Sequence, residues 1–410
     1  MREKKIMRTR VAAIEFGTSK IVTLIAESGS YHRLGIIGSG TVPYDGYRDG
    51  DWIAPGKLAQ AVYNSISAAE KDANTKIKDI YIGVPGEYIH VETQEATVNI
   101  NAETGRVSEE DIDLVQDMAA DVMQFDKRNT PGNVIHRSPA WFRVDDGEKT
   151  MQPLKMAGER LTACVSFITI EQFFINDMME LMDSMGISIN GFLSSSFGEM
   201  LWLTSVEDRE RSLIFIDSGF MSTEISIIEG DGILYHAMLP MGGAHLTEKL
   251  SEALAISGEE AERLKRSFVI APDGFEMINP PDFFDEYGRK IQFDELLVSE
   301  CMREGVDEMC DMIDRTIDED GQGLIVSRTP VYLTGGGLAM IRGGKDYLSA
   351  YLNRSVKVPQ AKAAQFNSPV YSSAMGLMDL IFASIDQRLP EEETLPGRLA
   401  DGFRGLFGRR

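Results

Sequence analysis

The sequence predicts an α/β fold of two duplicated lobes, the first interrupted by an inserted subdomain. Three observations carry this expectation. A strand running into a glycine turn at Ile14-Glu15-Phe16-Gly17-Thr18-Ser19-Lys20 recurs at Phe215-Ile216-Asp217-Ser218-Gly219-Phe220-Met221-Ser222 and again at Val331-Tyr332-Leu333-Thr334-Gly335-Gly336-Gly337. Residues 11–37 and 213–239 follow one plan of strand, turn, strand, turn, strand. A chain of 410 residues with 43% apolar side chains exceeds one ordinary core and suits two lobes. In each turn an apolar run ends in an acidic or hydroxyl residue and then glycine, so backbone N–H groups can approach a phosphate or nucleoside with no Cβ in the way.

Taken in order, residues 11–26 alternate as two strands about Gly17-Thr18, with a third strand near residues 34–37. Leu58, Val62, Ile66 and Ala69 recur at helical spacing, and Ile80-Tyr81-Ile82-Gly83-Val84-Pro85-Gly86 reads as a buried strand closing in a turn. The inserted subdomain is assigned to residues 86–160, with a strand at 92–100, a helix capped by Ser108 with Glu109 and Glu110 in its first turn, and a strand at 141–144. The first lobe, begun at 1–85, resumes over 161–210 with a strand at 162–169 and a helix at 170–185 stopped by Gly186. The second lobe comprises a core at 211–244, a smaller subdomain at 245–325 and a second core part at 326–386. Its helices fall at 246–254, 258–267 and 294–317, a Pro/Asp-rich loop at 272–281, and a last helix at 372–384. Residues 387–393 are charged and lack apolar content, which makes them a linker to a terminal segment at 394–410.

The charge balance excludes several classes. A net charge of −23 and a pI near 4.7 oppose general nucleic-acid binding, because a phosphate backbone is repelled over most of the surface. Cys164, Cys301 and Cys310 lack CxxC spacing and the five His are scattered, so neither a disulfide framework nor a zinc site is expected and a reducing cytoplasm fits. Arg2, Lys4, Lys5, Arg8 and Arg10 precede an apolar run that stops at Glu15, too short for a signal peptide, and no uninterrupted apolar run is long enough for a transmembrane span.

The order and spacing of the three turns resemble the phosphate-1, phosphate-2 and adenosine motifs of the actin, Hsp70 and sugar-kinase superfamily, in which two similar halves close over ATP. The resemblance implies an actin-like ATPase fold binding ATP and Mg2+. In the first turn Gly17, Thr18 and Ser19 would supply donors and Lys20 a cation, while Glu15 and Asp217 would orient water on the Mg2+, making them the candidate catalytic residues. Asp217 and Gly219 match the phosphate-2 pattern. The chain then departs from it, with Phe220, Met221 and Ser222 where further glycine and threonine are usual, which points to slow hydrolysis or nucleotide sensing. Pro240-Met241-Gly242-Gly243 resembles the second connecting motif, and Gly335, Gly336 and Gly337 the adenosine motif. Glu262 and Lys265 match an acid-x-x-base pair that approaches ribose and adenine, although the same spacing also describes a solvated helix face. In the first connecting segment Ser194 stands where faster ATPases place an acid or amide.

The insertion's position resembles the relocated subdomain of the FtsA and PilM families. Agreement extends to Ile36-Ile37-Gly38-Ser39-Gly40, the repeated Asp-Gly at residues 45–50, Ser108-Glu109-Glu110-Asp111-Ile112, and Pro369-Val370-Tyr371 through Ala374-Met375-Gly376-Leu377. The tail separates the two families. Leu395, Leu399, Phe403, Leu406 and Phe407 fall on one helical face, with Arg398, Arg404, Arg409 and Arg410 at the end of an acidic chain. Burying such side chains at roughly 1.5–3 kcal/mol each, with about 1 kcal/mol per Arg near anionic lipid, suits reversible adsorption to a membrane; a helix docked on its own domain is the alternative. FtsA resembles this tail with a linker and an amphipathic membrane-targeting helix.

The resemblance to the FtsA family implies self-association into filaments, an anionic membrane surface as partner, capture of the FtsZ C-terminal peptide, later division proteins as further partners, and a place on the cytoplasmic face of the bacterial membrane at the division site. Arg303 in the smaller second-lobe subdomain is the candidate FtsZ contact, with pairing to Glu300 or Asp307 on its own helix as the other reading. A PilM-like scaffold for pilus assembly is a second expectation. A small-molecule kinase of the same fold is a third, and it lacks a visible carboxylate base.

Overall fold

The computed structural model describes residues 9–28, 34–44, 46–48, 51–125, 133–271, 274–284, 287–291, 293–321, 323–360 and 366–386. The chain divides into two compact units: Met1–Ser212 with Ile228–His236 and Tyr371–Arg410, and Leu213–Ile227 with Ala237–Val370. The expected linker 387–393 and terminal segment 394–410 lie outside the described residues.

The first unit begins with β1 (Arg10–Phe16), β2 (Lys20–Ser28) and β3 (Leu34–Pro43), paired antiparallel in sequence. After the two-residue strands β4 (Tyr47–Arg48) and β5 (Asp51–Trp52) comes α1 (Pro55–Asp72). Pro55 starts this helix where its missing N–H has no partner to lose, and Leu58, Ala61, Val62, Ile66 and Ala69 form the buried stripe. β6 (Asp79–Val84) then pairs parallel with β1. The insertion follows as β7 (Ile89–Asn99), α2 (Glu109–Phe125), β8 (Asn133–Val144) and β9 (Arg160–Ile170), in a separate sheet of order β7-β9-β8. Val115, Ala119 and Met123 of α2 join Val98, Phe142, Leu161, Ala163, Val165 and Phe167 of the strands in its own core. The sequence placed the end of the insertion at residue 160. The sheet carries it to Ile170, because β9 is its central strand and pairs with both neighbours along its length.

The chain returns to the first sheet through α3 (Gln172–Ser184) and β10 (Ser188–Ser194), which completes the order β10-β6-β1-β2-β3. α4 (Ser195–Leu203) and the single turn α5 (Val206–Arg209) precede the second unit.

There β11 (Leu213–Ser218), β12 (Thr223–Glu229) and β13 (Gly232–Leu239) repeat the opening hairpins. The sequence assigned all of this stretch to the second lobe. The tip Ile228–His236 instead clusters with the first unit, where Ser166 Oγ donates to Ile233 O at 2.7 Å and Arg209 pairs with Asp231 at 2.7 Å. α6 (Gly243–Leu254) and α7 (Gly258–Lys265) come next, the latter opened by a reciprocal Ser257–Glu260 capping box. The expected loop at 272–281 contains part of a hairpin, β14 (Phe268–Ala271) with β15 (Gly274–Met277), whose register places Phe268 opposite Met277 and Ile270 opposite Phe275. β16 (Phe283–Phe284) pairs with β17 (Lys290–Ile291). The long helix α8 (Glu295–Asp320), N-capped by Asp294, buries Val298, Met302, Val306, Met309, Cys310, Ile313 and Ile317. β18 (Val331–Thr334), α9 (Gly344–Leu352) and β19 (Val356–Lys357) finish a sheet of order β13-β12-β11-β18-β19.

α10 (Ser372–Asp386) was expected in the second lobe and belongs to the first unit. Its buried Ala374, Met375, Leu377, Met378, Leu380 and Ile381 supply the apolar face. It crosses α4 at Gly376 and Gly198, where a Cβ on Gly376 would lie 2.5 Å from the backbone of Glu199.

Candidate nucleotide site

In the first unit β1 delivers Glu15 and the turn 17–20 reverses the chain, closed by Gly17 N–H donating to Lys20 O at 2.9 Å. Thr18 is buried and Ser19 exposed, with Ser19 O accepting from Tyr44 N–H at 3.1 Å. Lys20 Nζ sits 4.5 Å from the centre of the Tyr371 ring, a cation–π distance. Glu15 is buried. Desolvation pushes its carboxyl up to about 7, against the opposing pull of Lys20 and a 3.2 Å hydrogen bond from Ser373 Oγ. A carboxylate held near neutrality by burial favours an added positive charge beside it, so the donor set fits a hydrated divalent cation. Tyr371 immediately precedes α10 and Ser373 lies in its first turn; in the sequence Tyr371 stands out only as part of the 369–377 resemblance and neither as a site residue, and more than 350 residues separate them from the turn they support.

In the second unit three of the sequence motifs converge. Gly219 closes its own turn by donating to Ser222 O at 2.9 Å, and its carbonyl accepts from Gly243 N–H at 3.0 Å. Ala244 N–H donates to Phe220 O, tying the start of α6 to the same turn. Gly337 N–H donates to Ser218 O at 2.7 Å and Leu338 N–H to Ser218 Oγ at 3.1 Å, bringing in the adenosine-type turn. Gly335 has φ +93°, and a Cβ there would stand 2.2 Å from Asp217 Oδ1 and 2.3 Å from Ser218 O. A Cβ on Gly337 would meet Gly219 O at 2.7 Å, and one on Gly242 would meet Phe220 O at 2.6 Å. Gly336 is less confined, with a Val370 methyl 3.0 Å from its Cβ position. Asp217, Gly219, Ser222, Gly242, Gly243, Gly335, Gly336 and Gly337 thus form one backbone cradle that side chains would fill.

Lys265 is buried beside this cradle. Its Nζ donates to Gly243 O at 2.8 Å, Thr247 Oγ1 at 3.0 Å and Glu262 at 2.6 Å, and lies 5.9 Å from the Phe220 ring centre. Of the two sequence readings for Glu262 and Lys265, the solvated face does not describe Lys265. Desolvation lowers its pKa more than Glu262 raises it. Burial raises Glu262, but Lys265, Thr247 and Arg266 together outweigh that and hold it below the usual carboxylate range.

Arg303 is exposed on α8. Asp307, one of its candidate neighbours, accepts a hydrogen bond from Tyr347 OH. Ser194 caps α4 by accepting from Phe197 N–H at 3.1 Å, and its own N–H donates to Nε2 of fully buried His136 at 2.9 Å. Burial pushes His136 down to about 3, and the accepting Nε2 places its proton on Nδ1. His136 links the insertion to the first sheet, which nothing in its sequence neighbourhood signalled. The candidate membrane residues Leu395, Leu399, Phe403, Arg404, Leu406, Phe407, Arg409 and Arg410 lie outside the described residues. No helix among the described residues is long and apolar enough to cross a membrane.

Residues 214–376 match the family described as "Cell division protein FtsA", and residues 86–169 the "SHS2 domain inserted in FTSA". Among curated proteins, the cell division protein FtsA of Bacillus subtilis is 23% identical over 370 residues, covering 89% of this chain and 82% of that protein. Its counterpart from Neisseria meningitidis is 23% identical over 410 residues, covering 97% and 96%. Among solved structures, a PilM-PilN type IV pilus biogenesis complex superposes with a TM-score of 0.61 at 17% identity, covering 92% of this chain and 99% of the matched one. MreB 5 of Spiroplasma citri bound to AMPPNP gives 0.53 at 11%, covering 93% and 99%. These likenesses to solved structures establish the actin-like fold.

Proposed function

Because the chain belongs to the FtsA family, we propose that it is an actin-like, ATP-binding polymer-forming protein that tethers the FtsZ division ring to the cytoplasmic face of the bacterial membrane. The observation that carries the nucleotide part is the convergence of three glycine turns and buried Lys265 in the second unit. In this reading Gly17, Thr18, Ser19 and Lys20 with Gly219 and Ser222 bind phosphates. Gly242, Gly243 and the Gly335–Gly337 turn leave backbone free of Cβ atoms for the nucleoside, and Lys265 holds Glu262 toward the ribose. Glu15 and Asp217 position water around Mg2+, which when bound neutralises phosphate charge. Ser194 is engaged as a helix cap, and Phe220 and Met221 flank the phosphate turn, so hydrolysis is slow and nucleotide occupancy governs stacking of protomers.

The terminal segment supplies the membrane contact and the subdomain bearing exposed Arg303 the FtsZ contact, with later division proteins recruited to the assembly. Sedimentation with anionic liposomes, ATP and purified FtsZ tests both. Joint pelleting is expected, and removal of residues 394–410 abolishes it while leaving ATP binding intact. Pelleting of this protein without FtsZ would discard FtsZ as the partner; liposome association that survives the truncation would discard the tail as the anchor.

A further inference from the structure

The outward face of α2 is the strongest unassigned surface among the described residues. While Val115, Ala119 and Met123 face the insertion's core, Leu114, Met118 and Val122 point outward at four-residue spacing, 51%, 40% and 44% exposed. No other described helix exposes three large apolar side chains at that spacing. The stripe is flanked by exposed Glu110, Asp113, Asp117 and Asp121, and the helix contains no Lys or Arg. Arg137 on β8 reaches Asp117 at 2.8 Å, one cation against a strongly anionic face.

Residues 394–410 have the complementary character. Leu395, Leu399, Phe403, Leu406 and Phe407 are apolar, with Arg398, Arg404, Arg409 and Arg410 against the single acid Asp401. We propose that this C-terminal segment docks on the Leu114/Met118/Val122 face of α2 in the same chain, and that a bilayer displaces it. Amphipathic recognition of this kind pairs apolar anchors at i and i+4 with opposite charges along their flanks. α10 ends at Asp386 in the same unit as α2. From there residues 387–410 reach at most about 80 Å, against a radius of gyration of roughly 18 Å for a unit of this size. The same apolar residues that would enter a membrane are thereby covered in its absence, so the segment has two competing partners.

Disulfide trapping in the full chain tests this. Cys164 and Cys310 are buried; with Cys301→Ser removing the more accessible thiol, Met118→Cys is paired with Leu399→Cys, and Tyr63→Cys on the exposed face of α1 with Leu399→Cys serves as control. The Met118 pair is expected to close within one chain at least tenfold faster than the control, and Asp113→Lys with Asp121→Lys to remove that advantage. Equal rates, or bonds only between chains, would overturn the proposal. Independently, Leu114→Ser/Met118→Ser/Val122→Ser in the otherwise unaltered chain is expected to raise binding to anionic vesicles at least threefold, and unchanged vesicle binding by a correctly folded variant would count against it. Trapping requires no lipid, so a tail that fails to bind membranes and a tail that fails to dock give separate results.

Discussion

The turn after β1 and the turn after β11 follow one local plan, strand, acid, glycine, return strand, yet they are held by different means. In the first unit the turn closes on itself through Gly17 and Lys20 and takes a further backbone bond, from Tyr44 N–H to Ser19 O; the groups that set its charge are side chains, buried Glu15, the Tyr371 ring and the Ser373 hydroxyl. In the second unit the turn is stitched by backbone to two distant segments, α6 at Gly243 and Ala244 and the Gly335–Gly337 turn. A duplicated sequence pattern therefore fixes the strand path but not the chemistry around it. Both turns have a glycine pressed against their backbone, Gly46 against Thr18 in the first and Gly335 against Ser218 in the second, but only the first is also tuned by a buried carboxyl and a neighbouring cation.

The sharpest break of that contrast is Gly335→Val. The position has φ +93° and its Cβ would meet Ser218 O at 2.3 Å, so the backbone itself must move. A loss of about 4 kcal/mol in urea unfolding is expected, with ATP binding undetectable. Retained stability would mean that the second turn is not fixed by glycine packing.

Glu15→Gln probes the first turn and should have the next largest effect. The folded carboxyl titrates near 7 against 4.5 as the ordinary value, so the folded state holds the proton more tightly. Its contribution is complete below pH 4.5 and is lost as pH rises toward 7; above that, ionising a buried carboxyl costs about 3 kcal/mol. The variant should therefore be more stable than the parent by up to that amount at pH 8, and equal to it below pH 4.5, when both are unfolded in urea. His136, pushed to about 3, gives the opposite slope, losing stability as pH falls below about 6.5. Only the difference between variant and parent isolates Glu15. Mg2+-dependent tightening of ATP binding should fall about tenfold in the same variant.

Much of this was legible in the sequence, and the parts that were not share a cause. The turns announce themselves because glycine and acid after an apolar run have few other uses, and α8 because apolar positions recur through its length from an Asp294 cap. The membership of α10 was hidden because its amphipathic pattern specifies a buried face without naming the surface that buries it. Lys265 reads like any helix-surface lysine: Glu-x-x-Lys spacing is identical whether the pair is solvated or covered. Tyr371, Ser373 and His136 act across long sequence separations, through contacts that no local period records. The insertion's end was misplaced because a central strand and a core strand both read as apolar runs.

Lys265→Met removes the cation beside the second turn while keeping most of its volume. Its ammonium satisfies Gly243 O, Thr247 Oγ1 and Glu262, so about 1–2 kcal/mol of stability should be lost at pH 7. Glu262 is held below its ordinary range, a contribution present above about pH 4.5 and lost as pH falls, and the variant should flatten that acid limb. An acid limb identical to the parent's would separate Glu262 from Lys265 energetically.

Gly17→Ala sharpens the comparison from its weak end. The new Cβ would lie 3.2 Å from Lys20 O, a contact relieved by a few tenths of an ångström, and the residue has no left-handed φ to lose. Stability should change by less than about 1 kcal/mol. On the proposed function, ATP affinity measured by titration calorimetry should fall at least fivefold, because the methyl would sit 3.2 Å from Lys20 O and within 3.9 Å of both Glu15 carboxylate oxygens. A variant that kept its affinity would show that the first turn contributes only the charges of Glu15 and Lys20. One that lost as much stability as Gly335→Val would erase the distinction between the two turns.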